Sequence, residues 1–429
     1  MKIACIGTGF VGVVTAAVFA SLGNEVVGLD IDEKKIDSLR HGVVPFYEPG
    51  LQELLVKTQA EGHLTFTTSY ESAISGADIV MIMVGTPSAA DGTADLKYVY
   101  AASEAMTPYL KEGAIVIVKS TVPPGTNGKV REIIERGTKV FFDIASVPEF
   151  LKEGTAVEDT LHPDRAVIGA TNERTIATLT KLHEPLTKNV VVVRPESAQM
   201  AKYAANVYLA SRITFANQMA DLCELNGADV QEVLAGIGQD KRIGTHYWYP
   251  GLGYGGSCFP KDVKEIAAYA RTVGETESIF IAVDDLNEKR IPRLMEKYDK
   301  LVGGFAGKTV GILGLSFKPN TNDTRVAPSL KIVPWLIEHG ATVRATDPKA
   351  IDESKPLLPS SVTYVENAYE AVRGAHIAML LIEWDEYKKL DLGKIAASMV
   401  APKYFFDTRN QYNSDDIVTV GMQYKGIGR

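Results

Sequence analysis

Residues 253–262 read GYGGSCFPKD, a stretch that offers a thiol at Cys258, an ammonium at Lys261 and a carboxylate at Asp262. Pro260 suits the first turn of a helix, so Cys258 stands just before a helix N-terminus. Unpaired N–H groups and aligned peptide dipoles there favour thiolate over thiol. The flanking glycines let another molecule come close to the sulfur. A thiolate so placed is a nucleophile toward an electrophilic carbon. An incidental loop cysteine would look the same, so its neighbours have to decide.

Four other residues could act with it. Lys202 and Asn206 in AKYAAN are four apart, so on a helix they share one face and can both address one developing negative charge. A solvated helix face has the same spacing. Glu149 in PEFLKE, taken by itself, reads as an exposed turn carboxylate. Asp262 falls in the first turn after the cysteine, where an acid also complements the helix dipole. The other two cysteines, Cys5 in an apolar strand and Cys223 in MADLCEL, read as small core residues. Three cysteines make no disulfide framework, and reduced thiols are expected. The seven histidines are scattered without ligand spacing, so no metal is expected.

The elements that must position these residues begin at the N-terminus. KIACIGTGFVG is an apolar strand running into a GxGxxG turn; VVTAAVFASLG follows at helical spacing and NEVVGLD as a second strand. Gly7, Gly9 and Gly12 permit the tight turn, the approach of backbone to a pyrophosphate and close helix–strand packing. Asp30 closes the second strand, where a carboxylate accepts hydrogen bonds from a ribose diol and repels a 2′-phosphate. NAD rather than NADP is therefore expected, with Lys34 and Lys35 nearby arguing the other way. Later strands, ADIVMIMVGTP, GAIVIVKSTVPPG and KVFFDIASVPEF, end in polar or proline-rich turns. Thr86 and Thr121 lie in such turns and are candidates for cofactor contact, or simply capping hydroxyls.

Residues 196–226 contain neither Gly nor Pro and at helical rise span roughly 45 Å, enough to bridge domains and form a subunit interface. After a glycine hinge the chain repeats itself: GKTVGILGLSFK echoes the first strand and turn, GATVRATD ending at Asp347 echoes NEVVGLD, and GAHIAMLLI echoes GADIVMIMV. The second glycine turn lacks the full fingerprint, so a ligand other than a second NAD is expected there. The fold class is α/β: two Rossmann-like doubly wound domains joined by a long central helix and a helical middle domain. The expected boundaries are 1–195, 196–300 and 301–429. With 45% hydrophobic and 23% charged residues the chain is globular in composition, and a net charge of −8 offers no attraction to nucleic acid or anionic lipid. No apolar run is long enough to span a membrane. MKIACIG enters a strand at once, without signal-peptide character, so the cytoplasm is expected.

Six stretches together, GTGFVG, STVPPGT, PEFLKEGTA, AKYAAN, GGSCFPKD and FKPNTNDTR, in that order over nearly the whole chain, resemble the UDP-glucose/GDP-mannose dehydrogenase family. The resemblance implies an N-terminal NAD domain, a central helical dimerisation region and a C-terminal domain for the UDP part. It implies oxidation of UDP-glucose to UDP-glucuronate with two NAD, through a thiohemiacetal and a thioester on Cys258. Lys202 and Asn206 would stabilise the alkoxide, Asp262 would act with Lys202 and a water in the first oxidation, and Glu149 would activate the hydrolytic water, with Thr121 also at the catalytic centre.

For NAD the resemblance implies Gly7, Gly9, Phe10, Val11, Gly12, Asp30, Lys35, Thr86, Thr121, Glu153 on the nicotinamide side, Lys261, and Arg325 reaching across the cleft. For the sugar nucleotide it implies Glu149, Phe150, Leu151, Lys152, Lys202, Asn206, Tyr249, Gly251, Gly255 and Lys318, with Arg242 contributed by a neighbouring subunit. A homodimer through the central helix, or a larger homo-oligomer, is expected. Tyr254 stands where the relatives usually have phenylalanine. Ser257 precedes the cysteine where dehydrogenases of N-acetylated sugars typically have histidine, which favours the unmodified hexose. Three alternatives stay open: a GDP-mannose or UDP-N-acetylhexosamine 6-dehydrogenase, a two-electron hydroxy-acid type dehydrogenase, which would have no use for Cys258, and a non-enzymatic NAD sensor.

Overall fold

A computed structural model describes residues 1–429. It divides into two compact units, Met1–Ala205 and Asn206–Arg429, and the division falls inside one helix, Pro195–Asn226.

The first unit is built on eight strands: β1 (Lys2–Ile6), β2 (Glu25–Leu29), β3 (Leu64–Thr67), β4 (Ile79–Ile82), β5 (Ala114–Val118), β6 (Phe142–Ser146), β7 (Ala166–Gly169) and β8 (Val190–Val193). They pair in the order β3-β2-β1-β4-β5-β6-β7-β8, parallel throughout except between β6 and β7. KIACI shows why the sheet is covered on both faces. Ile3 and Cys5 belong to one buried cluster and Ala4 and Ile6 to another, so the apolar run needs no polar alternation. The strand order reverses between β1 and β4, which opens a crevice at the strands' carboxyl ends.

The second unit carries β9 (Thr309–Leu313), β10 (Thr342–Thr346), β11 (Thr363–Tyr364), β12 (Ile377–Leu380), β13 (Tyr404–Asp407) and β14 (Gln423–Lys425), in the order β11-β10-β9-β12-β13-β14 and all parallel. Helices Val230–Gly238, Phe259–Thr272 and Ile279–Val302 precede this sheet. Both doubly wound sheets expected from the internal repeat are present.

The repeat diverges where a ligand would sit. In the first unit a helix starts at Phe10, directly after the glycine turn. In the second, residues 315–328 intervene before the next helix, Ser329–Glu338. Asp347 has no capacity left for a ribose. Its Oδ2 accepts from the N–H groups of Leu315 at 2.6 Å and Ser316 at 3.0 Å and from Trp384 Nε1 at 3.3 Å, while Oδ1 accepts from Lys349 at 2.8 Å and Ala350 at 2.9 Å. The turn's acid has become a structural clamp, which agrees with the expectation that this unit takes something other than a second NAD.

Candidate active site

The dinucleotide turn of the first unit is formed by contacts that only glycine tolerates. Gly7 has φ +97°, and a Cβ on it would lie 2.7 Å from the Met83 carbonyl oxygen; a Cβ on Gly12 would lie 1.9 Å from the Gly7 oxygen. A Cβ on Gly9 would meet nothing within 4 Å, so the helix start at Phe10 faces open space, with no side chain capping its N–H groups. Such a start suits a pyrophosphate. Asp30 Oδ2 accepts from Thr8 N and Thr8 Oγ1, both at 2.9 Å, and from Lys35 Nζ at 3.0 Å. Oδ1 receives only Asp32 N at 3.2 Å and keeps capacity for a ribose hydroxyl. Burial opposes the charge on Asp30, but these N–H donors and Lys35 hold the carboxyl below its usual range. Lys35 is thus the partner of Asp30. Phe10 and Val11 open the helix, and Phe10 packs on Phe46 at 4.8 Å between ring centroids. Thr86 and Thr121 come together, with Thr86 Oγ1 donating to the Thr121 carbonyl at 2.9 Å. These features fit NAD.

On the same unit Lys202, on the helix Pro195–Asn226, meets Glu149, in the turn after β6. Lys202 Nζ lies 2.9 Å from Glu149 Oε1, and both side chains are buried. The second carboxylate oxygen accepts from Leu151 N at 2.8 Å, which fixes its direction. Phe150 lies beneath the Lys202 ammonium and under the Arg165 guanidinium, 5.5 and 3.8 Å from its ring centroid. Lys152 is exposed and paired with Asp159 at 3.1 Å. Glu153 is buried. Its loop is held by Glu48, whose carboxylate accepts from Gly154 N and Ala156 N, both at 2.6 Å. Glu48 was not anticipated: it lies more than 100 residues away in sequence, and no local pattern marks it.

In the second unit Cys258 is the N-cap of the helix Phe259–Thr272, with Pro260 in its first turn, and it is exposed, whereas Cys5 and Cys223 are buried. Burial pushes the Cys5 thiol up to about 12. Asp262, one turn further, is buried; its Oδ2 accepts from Asn206 Nδ2 at 2.5 Å and its Oδ1 from Lys261 Nζ at 2.6 Å. Lys261 also reaches Glu265 at 3.2 Å. Burial works against the Lys261 charge, yet Asp262 and Glu265, with Cys258 assisting, raise it above the ordinary lysine value. Glu265 is a second unanticipated residue, although its i, i+4 spacing from Lys261 on a helix could have revealed it.

The cysteine loop packs against the FKPNTNDTR loop: a Cβ on Gly255 would come within 2.4 Å of the Val326 oxygen. Lys318 lies half-buried on that loop. Gly251 N donates to Asn217 at 2.7 Å, and Tyr249 is exposed. Arg242 and Arg325 are both exposed and each is paired at 2.6 Å with an aspartate two residues before it, Asp240 and Asp323.

A glycine cradle for a dinucleotide and a buried lysine–carboxylate pair in one unit, and an exposed thiol at a helix start in the other, belong with a nicotinamide-dependent dehydrogenase. The NAD binding domain of the UDP-glucose/GDP-mannose dehydrogenase family matches residues 1–187, its central domain 196–289 and its UDP binding domain 311–414. A UDP-glucose 6-dehydrogenase of Bacillus subtilis is 43% identical over 430 residues, covering 100% of this chain and 93% of that protein. One from Pseudomonas aeruginosa is 42% identical, covering 100% and 98%. The solved structure of a UDP-glucose dehydrogenase from the archaeon Pyrobaculum islandicum superposes with a TM-score of 0.93 at 38% identity, covering 99% of this chain and 97% of that one. The chain belongs to the UDP-glucose/GDP-mannose dehydrogenase family. No helix in it is long and apolar enough to cross a membrane.

The difference in exposure among the three cysteines yields a direct expectation. Brief treatment of the folded protein with iodoacetamide should place one carbamidomethyl group, on Cys258, and leave Cys5 and Cys223 unmodified by peptide mass mapping. Comparable labelling of either buried thiol would contradict the packing described.

Proposed function

We propose that this protein oxidises UDP-glucose to UDP-glucuronate in two NAD-dependent steps on one enzyme. The observation that carries the reading is Cys258, exposed at a helix N-cap beside a cation held by two buried carboxylates. A two-electron hydroxy-acid dehydrogenase has no use for such a thiol.

NAD, held by the Gly7–Gly12 turn and Asp30, supplies the hydride acceptor for each oxidation. In the first, the C6 hydroxyl loses its proton toward Asp262 while Lys202 and Asn206, one helical turn apart, donate hydrogen bonds to the alkoxide oxygen. The Cys258 thiolate then adds to the aldehyde carbon, and the thiohemiacetal keeps a reactive aldehyde from escaping. Its oxidation leaves a thioester. Glu149, aimed by its bond from Leu151 N, takes a proton from water as the water oxygen bonds to the acyl carbon. The carbon–sulfur bond breaks and the thiolate is restored. Lys318, Tyr249, Gly251 and Gly255 are assigned to the sugar nucleotide, with Arg242 as a contact to a second subunit's substrate. Thr86, Thr121, Glu153, Lys261 and Arg325 are assigned to the cofactor side. Ser257 before the cysteine favours an unmodified hexose over an N-acetylated one.

The helix Pro195–Asn226 supports a homodimer. Tyr208, Phe215 and Leu222 are exposed at intervals of seven, with Leu225 85% exposed, a stripe that a second copy of the helix would cover. A reduced catalytic thiol suits the cytoplasm, and recovery of the native protein from a secreted fraction would contradict that placement.

With UDP-glucose the purified protein should form two NADH per sugar consumed and release UDP-glucuronate; one NADH per sugar with free aldehyde accumulating would exclude the double oxidation. Phe215→Asp combined with Leu222→Asp should turn a dimer into a monomer in sedimentation velocity, and an unchanged dimer would show that the interface lies elsewhere.

A further inference from the structure

Thioester hydrolysis by the proposed route leaves a proton on Glu149, and Glu149 lines a cavity of about 190 Å³ in the first unit. Helix Phe10–Ser21, the turn after β6, the segment 159–166 and the end of helix Glu173–His183 line it. Thr15, Lys119, Glu149 and His183 all line it. The Thr15 hydroxyl oxygen is fully buried and finds no hydrogen-bond partner in the protein. An orphaned hydroxyl facing a polar cavity of this size is the setting in which ordered water is retained.

Lys119 follows directly on β5. Its N–H donates to the Ile82 oxygen at 3.0 Å, and Val147 N donates to the Val118 oxygen at 3.2 Å, so it is fixed against the turn that carries Glu149. Its Nζ lies 3.4 Å from the Val147 oxygen. Glu149 therefore answers to two lysines, Lys202 in direct contact at 2.9 Å and Lys119 within the cavity. Burial lowers the Lys119 ammonium to about 8; Glu149 holds it up and Lys202 pushes it further down. Its other buried neighbours do not titrate in that range, since burial takes the Cys5 thiol up to about 12 and His183 down to about 4. Of the charged groups elsewhere in the lining, Lys152 and Asp159 neutralise each other at 3.1 Å, Arg165 lies over the Phe150 ring, and His162 and Asp164 complete the set.

We propose that this cavity is the proton exit for thioester hydrolysis, and that Lys119 acts through Glu149 by taking up, in its neutral form, the proton that Glu149 removes from water. This rests on the assignment of Glu149 as the base. One proton of the attacking water goes to Glu149, its oxygen bonds to the acyl carbon, and the carbon–sulfur electron pair returns to Cys258. The proton then passes from Glu149 by way of cavity water to the Lys119 amine and on to solvent; the product acid loses its own proton separately. The sign follows. With Lys119 protonated it cannot accept the proton. Neutral Lys119 can, so hydrolysis should accelerate as pH rises through about 8.

Rapid-quench mass spectrometry of the full-length protein with UDP-glucose and NAD, between about pH 6 and about pH 10, can follow decay of the sugar adduct on Cys258. In the native chain the decay constant should rise roughly tenfold across this range. Lys119→Met should make the profile flat, and Lys119→Arg, which stays charged, should be flat and roughly tenfold below the native chain at high pH. A native-like slope in Lys119→Met, or a native rate at high pH in Lys119→Arg, overturns the proposal. Should one variant fail to fold, the other decides together with the native profile, and a native decay constant independent of pH is enough to overturn it. Absence of any adduct in the native chain, by contrast, removes the covalent reading on which this inference rests.

Discussion

A charged side chain withdrawn from water must find an opposite charge close by, because the cost of desolvating it is otherwise several kcal/mol. Each unit holds a group of candidate residues arranged around that constraint. In the first unit the Lys202 ammonium is met by Glu149, and the pairing dictates where the turn after β6 must run. Glu48 then ties down the following loop through two backbone N–H groups. In the second unit Lys261 is shared by Asp262 and Glu265, and Asp262 in turn receives Asn206. Removing one member of either set strands a buried charge, so these residues hold one another in place as well as offering chemistry.

The two doubly wound sheets show how one architecture serves two purposes. Each has a glycine turn after its first strand and an aspartate at the end of its second. In the first unit the turn runs straight into a helix, and Asp30 keeps one oxygen lightly used. In the second, the loop 315–328 replaces that junction, and Asp347 spends both oxygens on backbone N–H groups and Trp384. The fold is retained while the dinucleotide fingerprint is lost, and the freed loop carries Lys318 and Arg325 instead.

What was legible in the sequence was local. Cys258 at a helix start follows from Pro260 and the preceding glycines, and the βαβ unit from a strand, a turn, a helix and an acid in the right order. Contacts between distant segments were not legible. Thr86 and Thr121 were each ambiguous alone, and only the fold shows that one donates to the other. Lys119 was hidden in plain view: a lone charge ending the apolar run AIVIV is a signal, but its meaning depends on a cavity formed by residues from 15 to 186. The ligand contacts expected of Arg242 and Arg325 came from the family resemblance alone, and the structure gives each an aspartate two residues away.

In the proposed reaction, oxidation to the acid passes through an acyl group on Cys258 that Glu149 is needed to release. Intact-protein mass spectrometry of Glu149→Gln incubated with UDP-glucose and NAD tests it most directly. The expected product is an added mass of one UDP-glucose less four hydrogens, mapped to the peptide containing Cys258, formed in a single burst of NADH and persisting for many native turnover times. An unmodified protein that releases UDP-glucuronate at the native rate would contradict it.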